Sequence, residues 1–256
     1  MTKINPLNLA KAIEDVVTKW EGNVQLRKYY RFRGGRWYGG IATADCVGCN
    51  MKCVFCWSWK VRESFRTIGR FYTPKQVYDR VMSIVRRRGY RLVRISGGEP
   101  TIGRKHLLEV LEYFSYERLT FILETNGILI GADPSYAKDL SKYGNLHVRV
   151  SIKGASPEEF SRLTLASSEF FDLQIKALKN LLDYGVDTHP SVMLSFSTKE
   201  NVEKLIEKLK EIDEGLVREF EEEYVFLYPH VVENLRRYGL KPKVAYTPDN
   251  IPEELI

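Results

Sequence analysis

The chain has 256 residues, a mass of 29.7 kDa and 44% apolar residues, enough to bury a core in one large or two small domains, which excludes general disorder. It contains no run of about 18 or more apolar residues, and Met1 to Pro6 lacks the basic-then-apolar layout of a secretory leader, so a soluble cytoplasmic protein is expected. The formal charge of +6 is uneven: residues 1–128 carry 23 Lys and Arg against 11 Asp and Glu, and residues 129–256 carry 16 against 22. A basic face on the N-terminal half, suited to a polyanionic or acidic partner, is expected.

Residues 1–40 read as a basic-aromatic N-terminal extension, irregular or in short helices: an amphipathic stretch from Leu9 to Trp20, then Arg27-Lys28-Tyr29-Tyr30-Arg31-Phe32-Arg33-Gly34-Gly35-Arg36-Trp37-Tyr38. Guanidinium groups interleaved with rings can contact phosphates while stacking on unpaired bases. Trp57, Trp59, Arg62, Arg66 and Arg70 continue that chemistry. A lead-in strand packed on a barrel, with arginines along its outer edge, accounts for the same run without nucleic acid.

From Ile41 onward strands and helices alternate. Strands are predicted over 41–44, 91–96, 119–124, 146–152, 188–196 and 224–227. Helices are predicted from Pro74 to about Arg88 and over 104–115, 134–143, 171–184 and 199–212, with another opened by Ser156-Pro157. Thr73 and Ser156 each precede a proline, the pattern of an N-cap followed by Pro at the first helical position. Six β/α units imply an α/β fold with a parallel sheet and right-handed crossovers. They are too few for a closed eightfold barrel and suit an open partial (β/α)6 barrel of TIM type over residues 41–230, followed by a C-terminal tail, 231–256. In such barrels the chemistry lies at the carboxyl ends of the strands.

All four cysteines, Cys46, Cys49, Cys53 and Cys56, fall within eleven residues, in the loop after the first predicted strand. A disulfide framework would spread its cysteines, and a zinc ribbon needs two pairs separated by roughly 15–20 residues. Thiolates this close suit a cubane iron–sulfur cluster, whose irons sit on adjacent corners. Cys49-x3-Cys53-x2-Cys56, with Phe55 before the last cysteine, resembles the signature of the radical S-adenosylmethionine (SAM) superfamily.

That resemblance implies a radical SAM core barrel and a [4Fe–4S] cluster ligated by Cys49, Cys53 and Cys56. The fourth iron is left open to chelate SAM, which is cleaved reductively to a 5′-deoxyadenosyl radical that abstracts hydrogen from a substrate. Ser96-Gly97-Gly98-Glu99-Pro100 looks like the family's GGEP element, so Gly97, Gly98 and Glu99 are expected to hold the methionine end of SAM. Glu124-Thr125-Asn126-Gly127 is similar to the family's Thr-Asn-Gly, making Asn126 a candidate SAM contact. Ser151-Ile152-Lys153-Gly154 stands where relatives often have Asp-x-Lys, so Ser151 and Lys153 are candidates too; Ser in place of Asp puts the ribose contact in doubt.

Size, single cluster and compact core look like the glycyl-radical (pyruvate formate-lyase type) activating enzymes, whose substrate is a protein loop. Lys52 to Trp57 also looks like the wybutosine-forming tRNA enzyme, and the basic half suits RNA, although that family uses a second cluster for which no cysteines remain. An electron donor of flavodoxin or ferredoxin type is implied, and no membrane partner is expected. A reading from another class is a non-catalytic four-cysteine iron–sulfur or zinc protein. Cys46 remains open between a fourth ligand, a redox-active thiol and a small residue ending a strand. His106, His147, His189 and His230 are scattered without metal-ligand spacing, and the sequence singles out no catalytic acid or base.

Overall fold

The computed structural model of the chain describes residues 3–252; the extreme ends of the predicted extension and tail, 1–2 and 253–256, lie outside the described residues. In chain order the elements begin with α1 (Pro6–Val17), β1 (Thr18–Glu21), β2 (Val24–Gly35), β3 (Ile41–Cys46), α2 (Trp59–Glu63), β4 (Arg70–Tyr72) and α3 (Pro74–Arg88). They continue with β5 (Leu92–Gly97), α4 (Arg104–Ser115), β6 (Thr120–Thr125), α5 (Ile128–Ala132), α6 (Pro134–Leu140), β7 (Leu146–Ile152), α7 (Pro157–Thr164), α8 (Phe171–Asp183) and β8 (Asp187–Met193). The last are α9 (Lys199–Lys210), α10 (Glu214–Arg218), β9 (Glu221–Glu223), β10 (Val225–Phe226), α11 (Pro229–Arg237) and β11 (Ala245–Tyr246).

Strands β3, β5, β6, β7, β8 and β9 pair in that order, all parallel. The arrangement is the α/β core of a partial barrel, and among the described residues no pairing closes β9 onto β3. Local chemistry explains the boundaries. Thr73 and Gln76 form a reciprocal capping box at the start of α3, and Gly89 ends that helix at φ 71°, where a Cβ would be strained. Ser156 caps α7 by accepting from the Glu159 N–H.

Alternation along each strand splits the sheet into two unlike faces. Val93, Ile95, Phe121, Leu123, Val148, Val150, Ile152 and Val192 enter one apolar core together with Val81, Leu107, Val110 and Leu178 from α3, α4 and α8. The concave face instead carries Thr43, Arg94, Ser96, Glu124, His147, Arg149, Ser151, His189, Glu221 and Glu223, which contact one another across the strands. Charged groups there are held by partners, as burial requires.

Two sequence expectations change. The run from Arg27 is mostly neither irregular nor helical: through Gly35 it lies in β2, antiparallel to β1, β3 and β4 within the main sheet, and only its end, Trp37–Gly39, forms a short 3-10 turn. Arg27, Lys28 and Tyr29 are buried, and Arg31 and Arg33 both donate to the fully buried Asp45, at 2.7 and 2.8 Å. The aromatic and basic side chains are therefore used largely to attach this strand.

The sixth parallel strand is Glu221–Glu223 rather than 224–227; Val225–Phe226 pairs instead with Ala245–Tyr246 in a separate two-stranded sheet. Glutamate is poor in strands by propensity, and here two of the three glutamates sit where Arg149 and Lys153 receive them. Strand β8 ends at Met193 because the chain turns, with the Ser197 N–H donating to the Leu194 carbonyl. No helix of the described residues is long and apolar enough to cross a membrane.

Candidate active site

The cysteine loop and the loop after β5 are joined through their backbones. The Gly98 N–H donates to the Cys46 carbonyl at 2.9 Å, and the Glu99 N–H donates to the Gly48 carbonyl at 2.7 Å. A Cβ on Gly98 would lie 2.2 Å from the Gly48 carbonyl oxygen, so only glycine lets the two chains cross here. Gly97 has φ +95°, again a glycine conformation.

Glu99, 1% exposed, extends the joint to β6. Its Oε1 accepts from the Thr101 N–H (3.1 Å) and from the hydroxyls of Thr101 and Thr125 (2.6 Å each), while Oε2 accepts from the Asn126 N–H (2.8 Å). The carboxylate that the sequence offered to an ammonium is thus engaged first by the chain's own donors. Its fixed role is to space the β5 and β6 loops.

Burial pushes every thiol upward, Cys46 and Cys53 to about 11, because a thiolate is poorly solvated there. After burial, the charges acting on Cys49 are Cys53, Glu99 and Cys56, whereas those acting on Cys46 are Arg27, Glu99 and Asp45. Cys46 is the last residue of β3, ahead of the loop that carries the other three. Lys153 and Arg62 oppose the upward shift at Cys53 and Cys56. Arg62 is itself buried, donating to the Cys53 carbonyl at 2.7 Å, so it belongs to the cysteine loop rather than to an outer basic surface. Among the described residues no group of three His, Cys, Asp or Glu is placed to hold a single metal ion; a cubane offers its irons on separate corners.

Asn126 places its Nδ2 2.7 Å from Asn50 Oδ1, to which it donates, and 4.0 Å from Cys49 Sγ. The Asn50 Nδ2, inside a residue with 0% exposure, has no partner. An unpaired buried donor costs about 1–3 kcal/mol.

Ser151 and Lys153 are brought together as expected: Lys153 donates to the Ser151 hydroxyl and, at 3.1 Å, to Glu223, and its ammonium lies 5.8 Å from the Phe55 ring centre. Sequence reading missed Glu223, which also accepts from Ser151 at 3.0 Å.

Further down the concave face, Arg94 donates to Glu124 (2.6 Å) and Arg149 to Glu221 (2.6 Å). Burial alone would raise both carboxyls, but these guanidinium partners outweigh it and hold them below the ordinary range. His147 and His189, 42 residues apart in sequence, meet at 2.5 Å, with Asp187 at one end (2.6 Å) and Glu221 at the other (2.9 Å). Their register on β7 and β8 was the missing signal, since neither histidine has a spaced partner in its own segment. His106 is buried away from this face between Tyr29 and Gln25.

A family model described as the Radical SAM superfamily matches residues 45–209, which include the cysteine triplet and the loops after β5, β6 and β7. The chain belongs to the radical SAM superfamily. The glycyl-radical activating branch within it is not specifically indicated.

A protein named probable GTP 3′,8-cyclase from Thermococcus kodakarensis is 32% identical over 116 residues, covering 45% of this chain and 35% of that protein. One of the same name from Methanopyrus kandleri is 29% identical over 184 residues, covering 71% and 56%. The chain thus spans between about a third and just over half the length of these curated relatives. In fold it is similar to Streptococcus suis SuiB bound to S-adenosylmethionine, with a TM-score of 0.58 and 19% identity over 75% of this chain and 44% of that one.

The cofactors of this radical SAM chain are a [4Fe–4S] cluster and SAM. Two observations fit them: the glycine crossing leaves no side chain over the cysteine loop, and the buried Asn50 donor beside Cys49 lacks an acceptor.

Proposed function

We propose that this chain is a radical SAM enzyme in which Cys49, Cys53 and Cys56 ligate the cluster. Gly97, Gly98 and Glu99 shape the site for the methionine end of SAM, and Asn126, Ser151 and Lys153 complete it. The observation that carries this reading is the backbone overlap of the cysteine loop with Gly98 and Glu99, which makes one site of two loops far apart in sequence. When bound, the cluster and SAM supply a one-electron reductive cleavage that yields a 5′-deoxyadenosyl radical able to take hydrogen from a substrate.

The chain's own residues prepare for that chemistry. Gly97 and Gly98 admit a ligand close to the backbone. Glu99, from inside its network, fixes the spacing of two loops. Arg62 and Lys153 place cations beside Cys53 and Cys56, offsetting the negative charge of thiolate ligands. Residues 41–230 form the core of this proposal, with 1–40 and 231–256 as appendages to it.

The substrate is read from the concave face, whose arginines, carboxylates, serines and histidines suit a polar, hydrogen-bonding molecule. The names of the curated relatives make a purine nucleoside triphosphate the first to test; a glycyl-radical protein loop has no comparable support. For a tRNA substrate, the basic-aromatic run loses Arg27, Lys28 and Tyr29 to the interior. A low-potential flavodoxin- or ferredoxin-type donor supplies the electron.

The deciding experiment is anaerobic reconstitution of the full chain, with metal analysis and assay of SAM cleavage under dithionite, with and without GTP. About four irons per chain and release of 5′-deoxyadenosine are expected. Zinc in place of iron, or iron with no SAM cleavage, would return the protein to the non-catalytic class. Cleavage that GTP leaves unchanged in rate and product would remove the nucleotide reading alone.

A further inference from the structure

Asn50 and Asn126 bridge the cysteine loop and the loop after β6, and their amide orientations are fixed by the backbone. The Ile128 N–H donates to Asn126 Oδ1 at 3.1 Å, so Asn126 must present its NH2 group to Asn50. Asn50 answers with its oxygen, at 2.7 Å, and its own NH2 group is left over. That group is buried, has no acceptor in the chain, and belongs to the residue directly after Cys49, whose sulfur lies 4.0 Å from the Asn126 amide. Buried amides in folded proteins are almost always paired, so the geometry calls for an acceptor supplied by a bound group beside Cys49.

We infer that the Asn50 side-chain amide donates a hydrogen bond to a sulfide of the cluster and thereby raises its reduction potential. The physical reason is that reduction adds negative charge to the cluster sulfurs, and an N–H donor stabilises that more negative state preferentially; hydrogen bonds to sulfur are one of the protein's levers on cluster potential. Asn126, donating to the Asn50 oxygen, positions the amide. This inference rests on the cluster ligation proposed above, and it concerns the potential rather than the existence of the cluster.

The test compares reconstituted full-length wild type and Asn50→Ala in two measurements, each made first without and then with SAM: a redox titration followed by electron paramagnetic resonance, and pulsed resonance of the reduced cluster after exchange into deuterium oxide. The expected result is equal iron content, a more negative midpoint potential in Asn50→Ala, and loss of one exchangeable-proton coupling that wild type shows. Equal potentials with the same couplings overturn the inference. If Asn50→Ala does not assemble a cluster, the wild-type spectrum decides, because absence of any coupling to an exchangeable amide proton overturns it equally. A difference between the two proteins only when SAM is added assigns the amide to the SAM carboxylate instead. A wild type that takes up no iron defeats the ligation proposal, a result distinct from all of these.

Discussion

At the amino-terminal end of the strands, the polar groups of the concave face form a closed chain: Asp187, His147, His189, Glu221 and Arg149 each meet the next within 2.9 Å. At the carboxyl end, Asn50 and Glu99 beside the cysteine loop are more deeply buried than Asp187 or Glu221, yet the pairing there is less complete. Asn50 Nδ2 has no partner, and the three thiols of the loop stand near Arg62, two of them near Lys153 as well, with no disulfide. The same strands thus serve two purposes. Where every donor has an acceptor the charges act as scaffold, and where buried donors are left over the fold has kept capacity for a ligand.

The contrast is broken most directly at the cysteines. Cys53→Ala should lose the cluster, while Cys46→Ala, which changes the last residue of β3 and leaves the loop triplet intact, should retain about four irons per chain. Iron analysis after anaerobic reconstitution checks this, and equal loss in both variants would show that the four thiols act together.

A smaller effect is expected at the joint between the two loops. Gly98→Ala forces a Cβ to within 2.2 Å of a backbone oxygen, whereas Gly144→Ala meets nothing within 4 Å. Chemical denaturation should show a loss of about 1–3 kcal/mol for the first, as for overpacked sites, and little change for the second. Equal stabilities would mean that the loops do not need this crossing.

The smallest effect concerns the amino-terminal end and acid. Glu221 titrates below its ordinary value of 4.5 in the folded chain, because Arg149 and His189 outweigh its burial. A carboxyl depressed on folding contributes stability that is present above the unfolded value and is lost as pH falls through the folded one. Wild type should therefore weaken below pH 4.5 more steeply than Glu221→Gln, by at most about 1.4 kcal/mol per pH unit. Parallel denaturation curves for the two proteins would show that the network is not the scaffold described.

The sequence by itself determined what is local. Cap residues such as Thr73 and Ser156, the two-residue alternation of Leu146 to Ile152, and the spacing of Cys49, Cys53 and Cys56 specify helix starts, strand faces and the cysteine loop. These signals are readable because each depends on neighbours within a turn or two of chain.

Only the tertiary structure decided the partners. Lys153 reaches Glu223 across 70 residues, His147 reaches His189 across 42, and Asn126 reaches Asn50 across 76. The acidic triplet 221–223 became a strand against its propensity because Arg149 on β7, one strand beyond its partner β8, and Lys153 just after β7 receive its carboxylates, and the basic-aromatic run became β2 because Asp45 on β3 received two of its arginines. Periodicity reports which way a side chain points, but register between distant strands, which no single segment encodes, sets what it meets.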